Sequence, residues 1–329
     1  MKVCIVGAGA IGGFIGARLA LAGQCDLSVL ARGATLDALQ THGWRLQESG
    51  GLLQAPAHAV ADPAELGVQD LVILAVKGPA LAEVARQIQP LLGPDTVLLP
   101  AMNGVPWWFG HGVPVLGSQP LSSVDPDGAI AAALPFENVL GCVVYMATWL
   151  AEPGLVMHKT GNKLVIGEPG GALSARAQKV QSLLAGAGIE TPLSANIRYD
   201  AWYKLWVNLT INPVSALTGA TADVVLDDAL VREFCIAAMR EAGTIGQQIG
   251  CAIPETPEHR NVLTRTLGSF KTSMLQDTEA GRPLELDNIV GAVREIGQRL
   301  GVATPHIDAL LGLTRLFARV RGLYPAQAA

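Results

Sequence analysis

Among its 329 residues the chain has no uninterrupted apolar run of the ~18 residues that a membrane-spanning helix needs. It is also poor in charge. With 16% charged residues and a formal net charge of −5, it carries no Lys/Arg block and no basic field that would gather nucleic acid. Cysteine is sparse: Cys4, Cys25, Cys142, Cys235 and Cys251 are odd in number, widely spread and form no C-x-x-C pair. That pattern points away from a disulfide framework or a zinc site and toward small buried apolar residues. His158 and His306 stand without a second ligand at metal spacing and read as structural. Internal repeats and low-complexity linkers are absent as well. What remains is a chain that is half hydrophobic and long enough for about two domains. Its mean hydropathy of +0.35 fits a densely packed enzyme with an oligomer interface, a homodimer being the expected form.

The N-terminus could be mistaken for a secretory signal, since Lys2 leads into a mostly apolar stretch with small residues such as Ala20 and Ala22. Gly7, Gly9, Gly12, Gly13, Gly16 and Arg18 would break the apolar helix that such a signal uses. The expectation is therefore a soluble, cytoplasmic protein. The same stretch has a better reading. An apolar run from Lys2 to Val6 passes through Gly7, Ala8, Gly9, Ala10, Ile11 and Gly12 into a helix-compatible segment. Glycine at the first position allows a tight turn, at the second lets backbone approach a pyrophosphate, and at the third lets helix pack on sheet. The helix N-terminus then offers unpaired N–H groups to the anion. The pattern predicts a dinucleotide site.

Across the first half, β-rich runs at 27–30, 71–76 and 97–99 alternate with helical stretches such as 81–92, the rhythm of a parallel sheet covered by helices. Longer alternating strands at 141–148 and 163–167, joined by the turn at Glu152, Pro153 and Gly154, read as further strands of the same sheet or an edge addition to it. A helix at 172–187 closes this half. From Asn196 helical periodicity takes over, with segments 197–211, 230–250, 257–276, 286–301 and 307–321. The predicted fold class is α/β: a Rossmann-type dinucleotide-binding domain over 1–195, then an all-α domain over 196–329.

Ligands of such a sheet lie beyond the carboxyl ends of its strands. After the second strand comes Arg32, with no Asp or Glu to hold a ribose 2′-hydroxyl; a guanidinium there suits a 2′-phosphate, a solvated surface arginine being the alternative, and NADP is favoured over NAD. Lys77 follows the strand at 71–76 and Asn103 the one at 97–99, so an ammonium and a carboxamide end adjacent strands. Lys77 reads equally as an ordinary exposed lysine. In the helical half, Lys204, Asn208 and Asn212 stand at i, i+4 and i+8, one polar stripe about 12 Å long. Two amides and one charge make a poor solvating face, and Trp202, Leu205 and Trp206 imply burial, so a substrate would supply the partners the amides need. Pro213 should end or kink this helix. Asp287 reads as an N-terminal dipole or cap residue with no further role, and Glu285 could equally be that.

Taken together, these residues resemble the ketopantoate reductase family (2-dehydropantoate 2-reductase), of the 6-phosphogluconate-dehydrogenase-like group, over nearly the whole chain. The resemblance is carried by the N-terminal glycine motif, Val76-Lys77, Asn103-Gly104, Pro153-Gly154-x-Val156-x-His158, and Lys204-Leu205-Trp206-x-Asn208-x-x-x-Asn212-Pro213. Ser273-Met274-x-Gln276-Asp277 and Glu285-x-Asp287 complete it. It implies NADPH-dependent reduction of a 2-oxo acid, ketopantoate to pantoate, in pantothenate biosynthesis. It implies Lys204 as proton donor, with Asn208, Asn212 and Ser273 on the substrate and Asn103 on both substrate and cofactor. Arg32 and Lys77 would meet NADP phosphate and ribose, Ala147 the cofactor through its backbone, and Glu285 both cofactor and Lys204. The chain departs from the pattern at 219–223, where the family often carries another asparagine, and at Trp107 and Trp108, which would narrow the mouth of the cleft. Another β-hydroxyacid or opine-type dehydrogenase, or a non-catalytic NADP-binding sensor, are the competing readings; a sensor would not need a proton donor.

Overall fold

The computed structural model describes residues 1–325 and begins with β1 (Lys2–Val6), whose last four residues are buried. Apolar, partly β-branched side chains suit a strand covered on both faces. The chain continues through α1 (Ala10–Ala22), β2 (Asp26–Leu30), α2 (Gly33–His42), β3 (Trp44–Glu48), β4 (Gly51–Ala55), β5 (His58–Val60) and β6 (Leu71–Leu74). Then come α3 (Leu81–Gln87), β7 (Val97–Pro100), α4 (Ala129–Ala133), β8 (Gly141–Glu152), β9 (Leu155–Gly167) and α5 (Ala175–Gly186).

β1, β2, β5, β6 and β7 form one parallel sheet in the order β5-β2-β1-β6-β7. The order reverses at β1, so the loop after it lies at the switch point where open α/β sheets bind ligands. β8 and β9 do not extend that sheet, contrary to the sequence expectation. They pair antiparallel through the expected turn and join β3 and β4 in a second sheet, β4-β3-β9-β8. Helix α1 explains this, because it has apolar surface on every side and needs cover on every side. A Cβ on Gly16 would sit 2.2 Å from the Trp44 ring, and one on Gly13 2.5 Å from Val156 Cγ2, so both glycines exist to let α1 lie against the second sheet. One core of Val3, Ile5, Phe14, Ile15, Leu46, Val144 and Ile166 joins the helix and both sheets.

The remaining helices are α6 (Ile197–Thr218), α7 (Ala222–Asp227), α8 (Ala229–Gln248), α9 (Pro257–Arg265), α10 (Ser273–Glu279), α11 (Ala292–Arg299) and α12 (Pro305–Val320). Pro213 does not end α6, which runs on to Thr218. The missing N–H deprives a single carbonyl, and the helix from Leu209 to Ala216 is buried on nearly every side, so packing outweighs the local loss. The segment read as one helix over 257–276 is two. Gly268 adopts a left-handed φ of +73°, and Thr272 caps α10 by accepting a hydrogen bond from Leu275 N at 3.1 Å. Ahead of α11 the chain makes a π-helical turn over Asp287–Gly291. Asp287 is an acidic residue of its first turn, as the dipole reading expects, but Leu286 is the cap, and Asp287 Oδ1 accepts a 2.6 Å hydrogen bond from the Tyr324 hydroxyl.

The chain divides into two compact units, Met1–Met102 with Gly128–Asp200, and Asn103–Asp127 with the chain from Ala201 onward. A single cut at residue 195 therefore misses that 103–127 belongs with the helices. The cause is visible in α11. Glu295 accepts hydrogen bonds from Ser122 N at 2.8 Å, Ser123 N at 2.7 Å and Ser123 Oγ at 2.6 Å. Arg299 donates to the carbonyls of Leu116, Gln119 and Pro120. Trp107, Trp108 and Phe109 are each no more than 3% exposed, and Phe109 stacks on Trp202 with ring centroids 5.8 Å apart. Trp107 and Trp108, read from the sequence as narrowing the mouth of a cleft, are thus buried side chains.

Candidate active site

Gly7, Ala8, Gly9, Ala10, Ile11 and Gly12 join β1 to α1 as the motif requires. Gly7 has φ +91°, and a Cβ there would stand 2.7 Å from Val76 Cγ1 and 3.0 Å from the Ala75 carbonyl, so only glycine makes this turn. A Cβ on Gly12 would meet the Gly7 carbonyl oxygen at 2.0 Å. Gly9 is different, with nothing within 4 Å of its would-be Cβ. It is the N-cap of α1, no side chain caps it, and the helix carries no acid in its first turn. An uncapped helix start behind an open glycine fits the pyrophosphate of a dinucleotide.

Other residues of the first unit surround the strand ends. Arg32 is the N-cap of α2, with a side chain 75% exposed and its Nη1 3.2 Å from Glu83 Oε1. Such an exposed pair is worth about 0–1 kcal/mol, so it holds the guanidinium loosely. Lys77 follows β6 and precedes a short turn whose Ala80 N donates to its carbonyl; its Nζ is buried, which sets aside the reading as an ordinary exposed lysine. Ala147 lies in β8 where the register to β9 shifts between Tyr145 and Thr148. Such a bulge frees backbone groups from the ladder.

In the second unit, α6 places Lys204, Asn208 and Asn212 on one face as the spacing predicts. Lys204 and Asn208 are half-buried and Asn212 is 6% exposed, while Trp206 fixes the helix by donating from Nε1 to the Met239 carbonyl at 2.6 Å. Lys204 Nζ donates to Asn103 Oδ1 at 2.6 Å, joining two residues 101 positions apart. Asn103 is held by its neighbours. Gly104, at φ +79°, lies so close to the π-turn that a Cβ would be 2.6 Å from the Asn288 carbonyl oxygen. Val105 N donates to that carbonyl at 2.8 Å, and Asn288 Nδ2 returns a 3.2 Å bond to the Val105 carbonyl. The sequence reading missed Asn288, although Gly104 beside Asn103 was the available signal. Ser273 opens α10 and is exposed, and Glu285 is half-buried just ahead of the π-turn. The arrangement offers a fixed ammonium beside amides, the equipment to bind an oxygen and protonate it.

The five cysteines are free thiols, and burial pushes Cys4 and Cys235 up to about 11 each, so neither is a nucleophile. His158 is engaged by Glu48 and the Gly161 carbonyl, and His306 by Glu241. No helix of the described residues is long and apolar enough to cross a membrane.

Comparison with known proteins agrees with this geometry. The family model described as ketopantoate reductase PanE/ApbA matches residues 3–171, and that of its C-terminal domain matches residues 196–318. The 2-dehydropantoate 2-reductase of Mesorhizobium japonicum is 45% identical over 326 residues, covering 98% of this chain and all of the relative. A solved structure from Ralstonia solanacearum superposes with a TM-score of 0.94 at 55% identity, covering 98% of this chain and 99% of that one. The 2-dehydropantoate 2-reductase of Methylococcus capsulatus superposes with a TM-score of 0.82 at 28% identity, covering 98% of each chain.

Proposed function

The chain belongs to the ketopantoate reductase family, and we propose on that footing that it reduces 2-dehydropantoate to pantoate with NADPH, Lys204 donating the proton. That it is an oxidoreductase acting on a CH–OH group follows from the family. The observation that carries the finer reading is the 2.6 Å bond from Lys204 Nζ to Asn103 Oδ1, beside Asn208 and Asn212 on α6. An amide oxygen can only accept, so it turns one ammonium hydrogen toward itself and fixes the direction of the other two.

When bound, the cofactor would supply the hydride that reduces the carbonyl carbon. As charge develops on the ketone oxygen, Lys204 stabilises it and delivers a proton, completing the hydroxyl and leaving a neutral amine that solvent reprotonates. Asn208, Asn212 and Ser273 bind the carboxylate and hydroxyl of the substrate. Gly7 to Gly12 would hold the pyrophosphate, Arg32 the 2′-phosphate and Lys77 the ribose, with Ala147 contributing backbone and Glu285 orienting Lys204 and the ribose. Polar pockets of this kind reject analogues that leave their buried groups unpaired.

The test is NADPH oxidation followed at its absorbance against a panel of 2-oxo acids. Turnover with 2-dehydropantoate supports the reading. Reduction of another 2-oxo acid in its place removes the named substrate and keeps the chemistry, whereas no reduction of any 2-oxo acid replaces catalysis with cofactor binding alone.

A further inference from the structure

Beyond α12 the chain turns back onto the segment that carries Glu285. Leu284 N donates to the Leu323 carbonyl at 2.9 Å, and the Tyr324 hydroxyl donates to Asp287 Oδ1 at 2.6 Å. These two bonds flank Glu285, one residue before it and two after. Leu323 is 4% exposed and Leu284 2%, so the junction is packed as well as hydrogen-bonded. Asp287 opens the π-turn, a rare geometry that recurs at functional sites. The next residue, Asn288, accepts from Val105 N and donates to the Val105 carbonyl, and Asn103 accepts from Lys204. A continuous path thus runs from Tyr324 through Asp287, Asn288 and the Asn103-Gly104-Val105 turn to the Lys204 ammonium, all within the second unit.

We propose that Tyr324 and Asp287 are positioning residues, and that the turn at 321–325 after α12 is a latch setting the π-turn and, through it, Asn103, Lys204 and Glu285. The inference rests on Lys204 being the proton donor. Neither is among the residues assigned to substrate or cofactor. Their effect comes from where they hold the turn, because a catalytic group displaced by a fraction of an ångström loses much of its rate advantage while binding changes little. A one-hydroxyl anchor suits this task. It fixes the turn without adding a charge, and Gly104, which has no room to shift toward Asn288, transmits the position to Asn103.

The test pairs kinetics with amide hydrogen exchange on the full chain. Tyr324→Phe and Asp287→Ala should each lower kcat about ten- to a hundredfold with KM for the 2-oxo acid largely kept. Asp287→Asn, whose amide oxygen still accepts from Tyr324, should recover most of the rate. In the first two variants exchange should quicken at 103–105 and 284–292 but not along α8. A variant Tyr324→Phe with full kcat, or with unchanged exchange at 103–105, overturns the latch. If the wild-type chain reduces no 2-oxo acid, the functional reading falls, and the exchange at 103–105 alone decides whether Tyr324 positions the turn.

Discussion

Lys204 is distinguished from the other lysines by what surrounds it: tryptophans on its own helix, an amide oxygen at 2.6 Å, and two asparagines on its face. General acid catalysis typically contributes about two to four orders of magnitude, so Lys204→Ala should lose turnover on that scale while NADPH affinity, measured by fluorescence titration, is kept. Normal turnover in a folded variant would remove Lys204 from the chemistry. Arg32 makes a different kind of prediction. Its pair with Glu83 is exposed and weak, so a 2′-phosphate can displace the carboxylate. Charge-assisted bonds to phosphate are worth roughly 1.5–3 kcal/mol, and Arg32→Ala should weaken NADPH about ten- to a hundredfold and leave NADH nearly untouched. Equal weakening of both cofactors would count against a 2′-phosphate contact. Both residues were legible in the sequence because local periodicity places them: one follows a strand, the other repeats every four residues. Asn288 and Tyr324 were not, because they act through contacts with chain 183 and 37 residues away that no local pattern records.

At the scale of elements, the sequence identified four strands of the parallel sheet and most helices, passed over β3, β4 and β5, and misassigned β8 and β9. Alternation marks a strand without saying which sheet it joins; that was decided by the shape of α1, whose Gly13 and Gly16 admit Val156 and Trp44. Likewise the helix pattern over 257–276 was continuous, and one left-handed glycine divided it. The joint between α11 and the 116–123 loop yields a pH prediction. Burial raises the Glu295 carboxyl, but hydrogen bonds from Ser123, Ser122 and Arg299 more than offset this and hold it below its ordinary value of 4.5. A carboxyl depressed in the folded state contributes stability that is present above its unfolded pKa and is lost as pH falls through the folded one. Glu295→Ala should therefore cost about 1–3 kcal/mol at neutral pH. The gap in melting temperature between wild type and variant should close as the pH is lowered below the ordinary carboxylate range. A gap that stays constant down to pH 3 would show that the charge is not what holds the loop.

For the whole molecule, the decisive feature is that the second unit is discontinuous: the chain enters it at Asn103, leaves at Asp127 and returns at Ala201. A cut at residue 195 looks natural from the composition, because helical periodicity begins there. It would nonetheless leave the helices without the 103–127 segment. Glu295 and Arg299 would lose the Ser122, Ser123, Gln119 and Pro120 groups that satisfy them, and Trp202 would lose Phe109 from its ring face. Removing Trp107, Trp108 and Phe109 takes three almost fully buried aromatics from one core, and each such loss costs about 3–5 kcal/mol, together as much as the whole stability of a typical domain. A fragment of residues 196–329 should accordingly unfold without a cooperative transition and bind a hydrophobic dye at neutral pH, as a loosely packed helical state does. A variant that joins residues 103–127 to that fragment by a flexible linker should regain a sharp thermal transition. A fragment of 196–329 that melts cooperatively by itself, with its tryptophans still shielded from a quencher, would show that the excursion decorates the helical unit and does not build it.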